Sequence, residues 1–326
     1  MAITAPKLTT DFASGFLKPE MSGYIFEKAA KSSVVMGATN RVPLGINGQE
    51  IPVVTGKMTA NWVAQGGQKP ASHGAIGLKT ISPKKLAAIT VVSAETVRAN
   101  PGNYMNIVRD QIAEAFAVAF DAAALHGTST PFGQYLDQTT RTQQLGDDAA
   151  TTGTGSLPTW TSPATVYGDF AAAKAGLIKD GKFATGYLLD DRFEILLDGA
   201  LDTTGRPLFH ESPYTGDASA NGAMASADVQ IRHGRMLGRP TTLAPGVYAD
   251  GGTTEIYGYC GDWTQAVWGA VGGISYSVST EATVTINGVL TSLWENNLVA
   301  ILAEAEYGFL VNDTDSFVKF VNTTTA

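Results

Sequence analysis

The sequence predicts an α+β fold, and three observations predict it. A long amphipathic helix spans 101–126, a weakly apolar extended stretch precedes it over 49–92, and helix and strand signals alternate afterwards before giving way to strand-like runs beyond Ser275.

Taken in order, residues 1–46 alternate short apolar groups with polar ones, with one short helical stretch at Ser22–Lys31, and read as an arm that packs on something else. From Gln49 to Val92 the chain is strand-like. Its apolar pieces are Ile51–Val54, Asn61–Ala64 and Leu86–Val92, separated by Gly66, Gly67, Pro70, Gly74, Gly77 and Pro83. A long hairpin with so few core-forming residues needs another surface to lie on. The helix over Pro101–His126 has Asn100 as N-cap, Pro101 in the first turn, His126 at the negative end of the dipole and Gly127 for the left-handed cap. Tyr104, Val108, Ile112, Phe116 and Phe120 recur at i+4, with Ile107, Ala115 and Ala119 widening the stripe. At about 1.5 Å per residue it spans roughly 39 Å, a spine across one face of the molecule.

Residues 128–160 are turn-rich, and Ala149–Gly155 reads as a surface loop. A helix fits Ser162–Ile178, a strand Gly186–Leu189, a short helix Asp191–Leu197, and strands Ile256–Cys260 and Ala266–Val271. Long strand-like runs such as Leu298–Leu302 and Tyr307–Val311 close the chain.

Charged residues are only 16% of the 326, below the quarter usual for globular proteins, with 36 glycines in their place. Such a surface suits coverage by neighbouring subunits, and it equally suits a β-rich secreted protein. Residues 1–110 carry twelve Lys/Arg against six Asp/Glu, and 111–326 carry ten against twenty-four. A basic front and an acidic back suit contacts between copies of one chain, and they suit tight nucleic-acid binding poorly. Cys260, the single cysteine, allows no intrachain disulfide and reads as a small strand hydrophobe. Neither a signal peptide nor a run of membrane-spanning length is expected.

Enzyme chemistry finds little to work with. His73, His126, His210 and His233 fall in four different elements, without metal-ligand spacing. Asp190-Asp191 opens a predicted helix, where capping explains it. No phosphate-binding glycine loop occurs, and neither a cofactor nor a metal is expected.

Four stretches carry a family resemblance. They are Trp62-Val63-Ala64-Gln65-Gly66-Gly67-Gln68-Lys69-Pro70 with its return Ser82–Ala87 and Val92-Ser93-Ala94-Glu95; Phe120–Gly127 with Pro131-Phe132-Gly133; Leu201–Leu208 with Leu237-Gly238-Arg239-Pro240; and Tyr259–Gly269. In this order, across 16–321, they resemble the major capsid proteins of tailed bacteriophages, the Hong Kong 97 type of shell fold shared with encapsulins. Gln65 stands where members often have an acidic residue, which removes one candidate ion pair between subunits.

The resemblance implies an N-terminal arm over 1–46, an extended loop hairpin over 47–92 and a peripheral domain with the spine helix over 93–131. An axial α/β domain over 132–274 and peripheral return strands over 275–326 complete it. It implies self-assembly as hexamers and pentamers into an icosahedral shell around double-stranded DNA bound without sequence specificity, with no membrane. Separate scaffolding, portal and decoration proteins are the other partners, the scaffold being dispensable in some shells. The expected place is the virion capsid, after synthesis in the host cytoplasm. An encapsulin-like compartment around a cargo enzyme is the alternative.

Some members join subunits by an isopeptide bond between a loop lysine and a neighbour's asparagine, assisted by a glutamate. The matching positions are Lys69, Asn297 and Glu304. Asn297 and Glu304 are seven apart, so a regular strand would point them to opposite faces unless different subunits supply them. The plainer reading is a surface lysine, a polar strand residue and a glutamate paired with a base on the arm.

Overall fold

The computed structural model describes residues 33–69, 71–99, 104–145, 166–198, 200, 209–211, 231–252 and 254–323. The expected helix at Ser22–Lys31, the loop at Ala149–Gly155, the cap at Asn100 and the turn at Leu201–Leu208 lie outside them.

The described residues open with a short helix, α1 (Val34–Ala38), then β1 (Asn40–Arg41), β2 (Gln49–Gly56), β3 (Ala75–Ile81) and β4 (Lys84–Ser93). Two helices follow, α2 (Ala94–Ala99) and the spine helix α3 (Tyr104–Leu125), then β5 (Thr142–Gln144). The middle runs α4 (Val166–Lys179), β6 (Gly186–Leu189), α5 (Glu194–Asp198), β7 (Phe209–Glu211), β8 (Arg232–Met236), β9 (Arg239–Leu243), β10 (Ala249–Asp250) and β11 (Thr254–Gly261). Five strands close it: β12 (Ala266–Ser279), β13 (Thr283–Ile286), β14 (Val289–Ser292), β15 (Leu298–Val311) and β16 (Phe317–Thr323). The class is α+β, with four separate sheets among the described residues.

A four-stranded sheet runs β1-β12-β15-β4, and a larger one runs β5-β16-β11-β6-β9-β8-β7 with β10 beside β11. The β2–β3 and β13–β14 hairpins each stand as two-stranded sheets. The larger sheet is covered on both faces, and strand alternation sorts its side chains between them. Leu189, Cys260, Val318 and Phe320 face Phe170 and Leu177 of α4, whereas Leu188, Tyr259, Phe317 and Val321 face the end of α3. Cys260 is fully buried there, and burial pushes its thiol up to about 12. It is a packing residue.

The stripe on α3 is real but narrower than its sequence suggests. Val108, Ile112 and Phe116 are buried against Ile301, Ala303 and Ala305 of β15, and Phe120 is buried in the adjoining core. Ala115 and Ala119, expected to widen the stripe, are exposed. The helix needs only one row because the alanines of β15 let it approach closely. Gly127 takes the left-handed conformation at φ +69°, as the cap requires.

Strand limits differ from the sequence reading in three places. Asn61–Ala64 forms no strand and lies exposed. Gly272-Gly273, which reads as the end of a strand, is instead a bulge, with Val271 opposite Glu306 and Ser275 opposite Glu304. The runs Leu298–Leu302 and Tyr307–Val311 join into one strand, because Glu304 and Glu306 between them point away from the face that buries Ala303 and Ala305.

The last turns of α3 hold the molecule's entry segment. Ser33 Oγ donates to Asp121 Oδ1 at 2.6 Å, Val34 N donates to Oδ2 at 2.8 Å and Val35 N donates to Oδ1 at 3.3 Å. Burial pushes this carboxyl above the usual carboxylate range, although all three donors pull it down. Asp121→Ala should therefore cost about 2 kcal/mol, the size of a lost cap plus orphaned buried donors. Chemical denaturation of unassembled subunits reads this out; an unchanged midpoint and slope would show that the clamp carries no stability.

Candidate assembly surface and crosslinking residues

The extended stretch 49–92 divides at Ser82-Pro83. β2 pairs antiparallel with β3, Gln49 opposite Ile81, whereas β4 leaves this hairpin and lies beside β15. The return strand expected at Leu86–Val92 thus belongs to the four-stranded sheet, and the free hairpin ends at Ile81. Pro83 sits where the chain changes sheet, a place where the missing donor costs nothing.

One face of β2–β3 is open, and the other, with Ile51 and Val53, is only half-buried. Val54, Ile76 and Leu78 are 67%, 72% and 63% exposed, and at the tip Trp62 is fully exposed. Only Ile81, at the base, is buried. Within the tip, Ser72 Oγ donates to Thr59 O at 2.9 Å and accepts from Thr59 N at 3.2 Å, and Gly67 N donates to Ala64 O at 2.9 Å. These bonds shape the tip without giving it a core.

The base is anchored in a slot made by two glycines. Gly269 of β12 and Gly308 of β15 are cross-strand partners, and Leu44 and Ile81 fill the space their missing side chains leave. A Cβ on Gly308 would lie 2.8 Å from Ile81 Cγ1 and 2.9 Å from Leu44 Cδ2. Lys79 Nζ donates to the carbonyl of Asn312, tying β3 to the turn after β15. At that turn Lys182 pairs with Asp313 at 2.6 Å.

The three sequence-derived site residues are separate within the chain. Lys69 lies exposed on the hairpin tip, and no hydrogen bond or ion pair among the described residues joins it to Asn297 or Glu304. Glu304 lies mid-strand in β15 and pairs with Lys85 of β4 at 2.5 Å. Among the described residues its partner is thus on the return strand beside it, where the sequence reading expected a base on the arm. Asn297 is not in a strand: it closes the turn before β15 with left-handed backbone, φ +52°. The expectation of opposite strand faces therefore does not apply. Seven residues at about 3.3 Å each put Asn297 and Glu304 roughly 23 Å apart along the chain.

Asn297 is held from several sides. Its N–H donates to Trp294 O at 3.4 Å, its carbonyl accepts from Ala94 N at 2.9 Å, and its Nδ2 donates to Glu95 Oε1. Glu95 stands in the first turn of α2, whose start is set by Ser93 Oγ accepting from Thr96 N at 3.2 Å. Both Glu95 and Asn297 are exposed. The sequence reading quoted Glu95 without a role, and no local pattern could have joined residues 202 apart. The neighbouring hairpin β13–β14 exposes Val289, Leu290 and Trp294.

His126 and Asp190 have structural partners. His126 Nδ1 and the Tyr259 hydroxyl are hydrogen-bonded at 3.1 Å, and burial pushes the imidazole down, which keeps it neutral. Asp190 accepts from Arg192 N at 3.2 Å and from Tyr248 N at 2.8 Å, a cap and a loop tie. His210 and His233 lie on the adjacent strands β7 and β8.

Gly308→Val should loosen the loop base by about 1–3 kcal/mol, the usual cost of overpacking. The readout is faster protease cleavage within 55–77 and a lower melting temperature, with Gly273→Ala, where nothing lies within 4 Å, as the neutral control. Equal behaviour of the two variants would remove the slot from the account.

The sequence model of the phage capsid family matches residues 14–322. Two curated relatives are each described as a probable major capsid protein gp17: that of Mycobacterium phage D29 is 42% identical and that of Mycobacterium phage L5 44% identical. Each alignment covers 94% of this chain and 90% of the relative. Among solved structures, one from Mycobacterium phage Bobi superposes with a TM-score of 0.67 at 17% identity, covering 96% of this chain and 97% of that one. One from Microbacterium phage Oxtober96 gives 0.66 at 17%, covering 94% and 96%. The capsid of a native GTA particle gives 0.65 at 15%, covering 98% and 100%. The chain belongs to the phage capsid family.

Proposed function

We propose that this chain is a major capsid protein, assembling with copies of itself as hexamers and pentamers into the icosahedral head shell of a tailed phage, around double-stranded DNA held without sequence-specific contacts. The observation that carries the reading is the β2–β3 hairpin, which exposes Val54, Ile76 and Leu78 and is anchored at its base among the described residues. A two-stranded ribbon of this kind is marginal in water, so a surface of a second copy is its natural partner. The description of the curated relatives favours a genome shell over a cargo compartment.

In this reading residues 1–46 are the arm and 47–92 the extended loop with its return. Residues 93–131 and 275–326 are read as the peripheral domain and 132–274 as the axial one, with two exceptions at the borders: β12 enters the smaller sheet from Ala266, and β16 (Phe317–Thr323) joins the larger sheet. Scaffolding, portal and decoration proteins are separate partners, and the subunit, made in the host cytoplasm, resides in the virion capsid. Deleting Thr55–Gly77 spares the anchors Lys79 and Ile81. The variant should fold with near-normal stability yet build no shells under conditions where the parent does, as electron microscopy shows. Normal shells from it would sink the assignment.

The finer part of the proposal is covalent. Lys69 of one copy joins Asn297 of a neighbour, and Glu304 of another copy takes the lysine proton. A lysine at its ordinary pKa of about 10.4 is protonated at neutral pH and does not attack amides. Burial against a neighbour's apolar surface lowers that value, and an adjacent carboxylate accepts the proton. The exposed Trp62 near Lys69 and Trp294 near Asn297 supply apolar surface at both ends. Boiled in detergent, mature particles should give a ladder of multimers on a gel. The ladder should vanish with Lys69→Arg or Asn297→Ala, and the joined peptide should be lighter by one ammonia. A lone monomer band from expanded particles would overturn it.

A further inference from the structure

We propose that Glu95 is a second catalytic carboxylate of the Lys69–Asn297 crosslink, stationed on the acceptor amide, where it carries a proton to the departing nitrogen. The inference rests on the crosslinking reading above.

Asn297 is prepared before any lysine arrives. Its backbone is pinned at both polar groups, and its Nδ2 is bonded to Glu95 Oε1. A carboxylate accepts from an amide N–H and repels an amide oxygen, so it selects one of the two flips about Cβ–Cγ. Nδ2 is turned towards Glu95, and Oδ1, to which nothing among the described residues donates, is turned away. Both side chains are exposed, so the carbonyl carbon is open to a residue from another copy.

The proton inventory needs such a group. The lysine begins as an ammonium and gives one proton to Glu304. The neutral amine attacks Cγ, forming the Nζ–Cγ bond and a tetrahedral adduct with a positive Nζ and a negative Oδ1. The adduct reverts unless Nδ2 is protonated, because a neutral amine leaves far more readily than an amide anion. Glu95, already bonded to Nδ2, takes the second proton from Nζ and passes it to Nδ2. The Cγ–Nδ2 bond then breaks, ammonia departs and takes up the proton held by Glu304, and both carboxylates are restored. Nothing is oxidised or reduced. Glu304 cannot do both tasks from within the acceptor's own chain. It lies roughly 23 Å along β15 from Asn297 and is paired with Lys85.

The experiment follows multimer formation in expanding particles of the parent and of Glu95→Gln, Glu95→Ala and Glu304→Gln. Glutamine keeps an oxygen that accepts from Nδ2, so Glu95→Gln preserves the orientation and removes the base. It should assemble shells of normal size and melt like the parent while crosslinking at least tenfold more slowly, the lower part of the range for general acid–base groups being about a hundredfold. Parental rates in Glu95→Gln, with slow crosslinking only in Glu95→Ala, would reduce Glu95 to a spacer and overturn the proposal while leaving the crosslink intact. No multimers from the parent would overturn the crosslink itself, and the role of Glu95 with it.

Discussion

The end of the spine helix is the constraint on which the rest depends. Two consecutive residues there face different partners: Phe120 enters the core, and Asp121 grips the segment ahead of β1. Phe120 lies 5.5 Å from the Tyr307 ring, 6.1 Å from Phe309, 5.9 Å from Phe132 and 6.4 Å from Trp268, so it joins β12, β15 and the turn after the helix. Asp121 fixes Ser33–Val35, which leads into β1 and so to the edge of the same sheet beside Trp268. Because α3 also touches the core shared with the larger sheet, this one turn sets how the two sheets meet. Polar and apolar bonding are coupled here: the carboxylate is desolvated by the packing that Phe120 organises, and that desolvation strengthens its hydrogen bonds.

From that fixed body the β2–β3 hairpin projects with a hinge that is itself well packed. The paired glycines at 269 and 308 let Leu44 and Ile81 seat against the sheet, so the loop leaves at a defined direction although its outer part has no core. A capsid subunit benefits from this division. A rigid root sets where the loop reaches, and an uncovered tip leaves the binding energy to be released on contact with a neighbour. Apolar side chains such as Ile76 and Leu78 lie on what would be a liability in a monomer, an open two-stranded edge. In the proposed shell a neighbouring copy would cover the same surface.

Much of this was legible in the sequence, and for a physical reason. The i+4 row from Val108 to Phe120 and the apolar strand at Gly186–Leu189 are local patterns, so the order of residues marks them. The failures share a different cause. β3 carries its apolar groups at Ile76 and Leu78 on a surface that its own chain never covers, and β4 resembles its hairpin partner until pairing with β15 decides the matter. Ala115 and Ala119 are exposed because the row that meets β15 is Val108, Ile112 and Phe116, a choice of face that pairing with a distant strand decides. Lys69, Asn297 and Glu304 came from resemblance, and the structure keeps them apart within one chain. The contact of Glu95 with Asn297 is long-range and invisible to any local pattern.

The conformation of Asn297 bears on how its identity should be read. An asparagine at φ +52° needs no chemical explanation, since among residues other than glycine it is one of those that best tolerate the left-handed region. Asn287 illustrates this, with φ +52° beside Gly288 in the turn of the β13–β14 hairpin, the dipeptide such turns favour. Backbone geometry alone would accept glycine at either place. At Asn297 the amide meets an exposed carboxylate from another element, and the turn is held on both sides by backbone bonds. A turn residue requires the second feature but not the first. An acceptor amide requires both, because attack on a freely flipping carboxamide would meet the wrong face as often as the right one. Chemistry at Asn297, if the proposed crosslink forms, would therefore depend on the company its side chain keeps, and the residue that supplies it is Glu95.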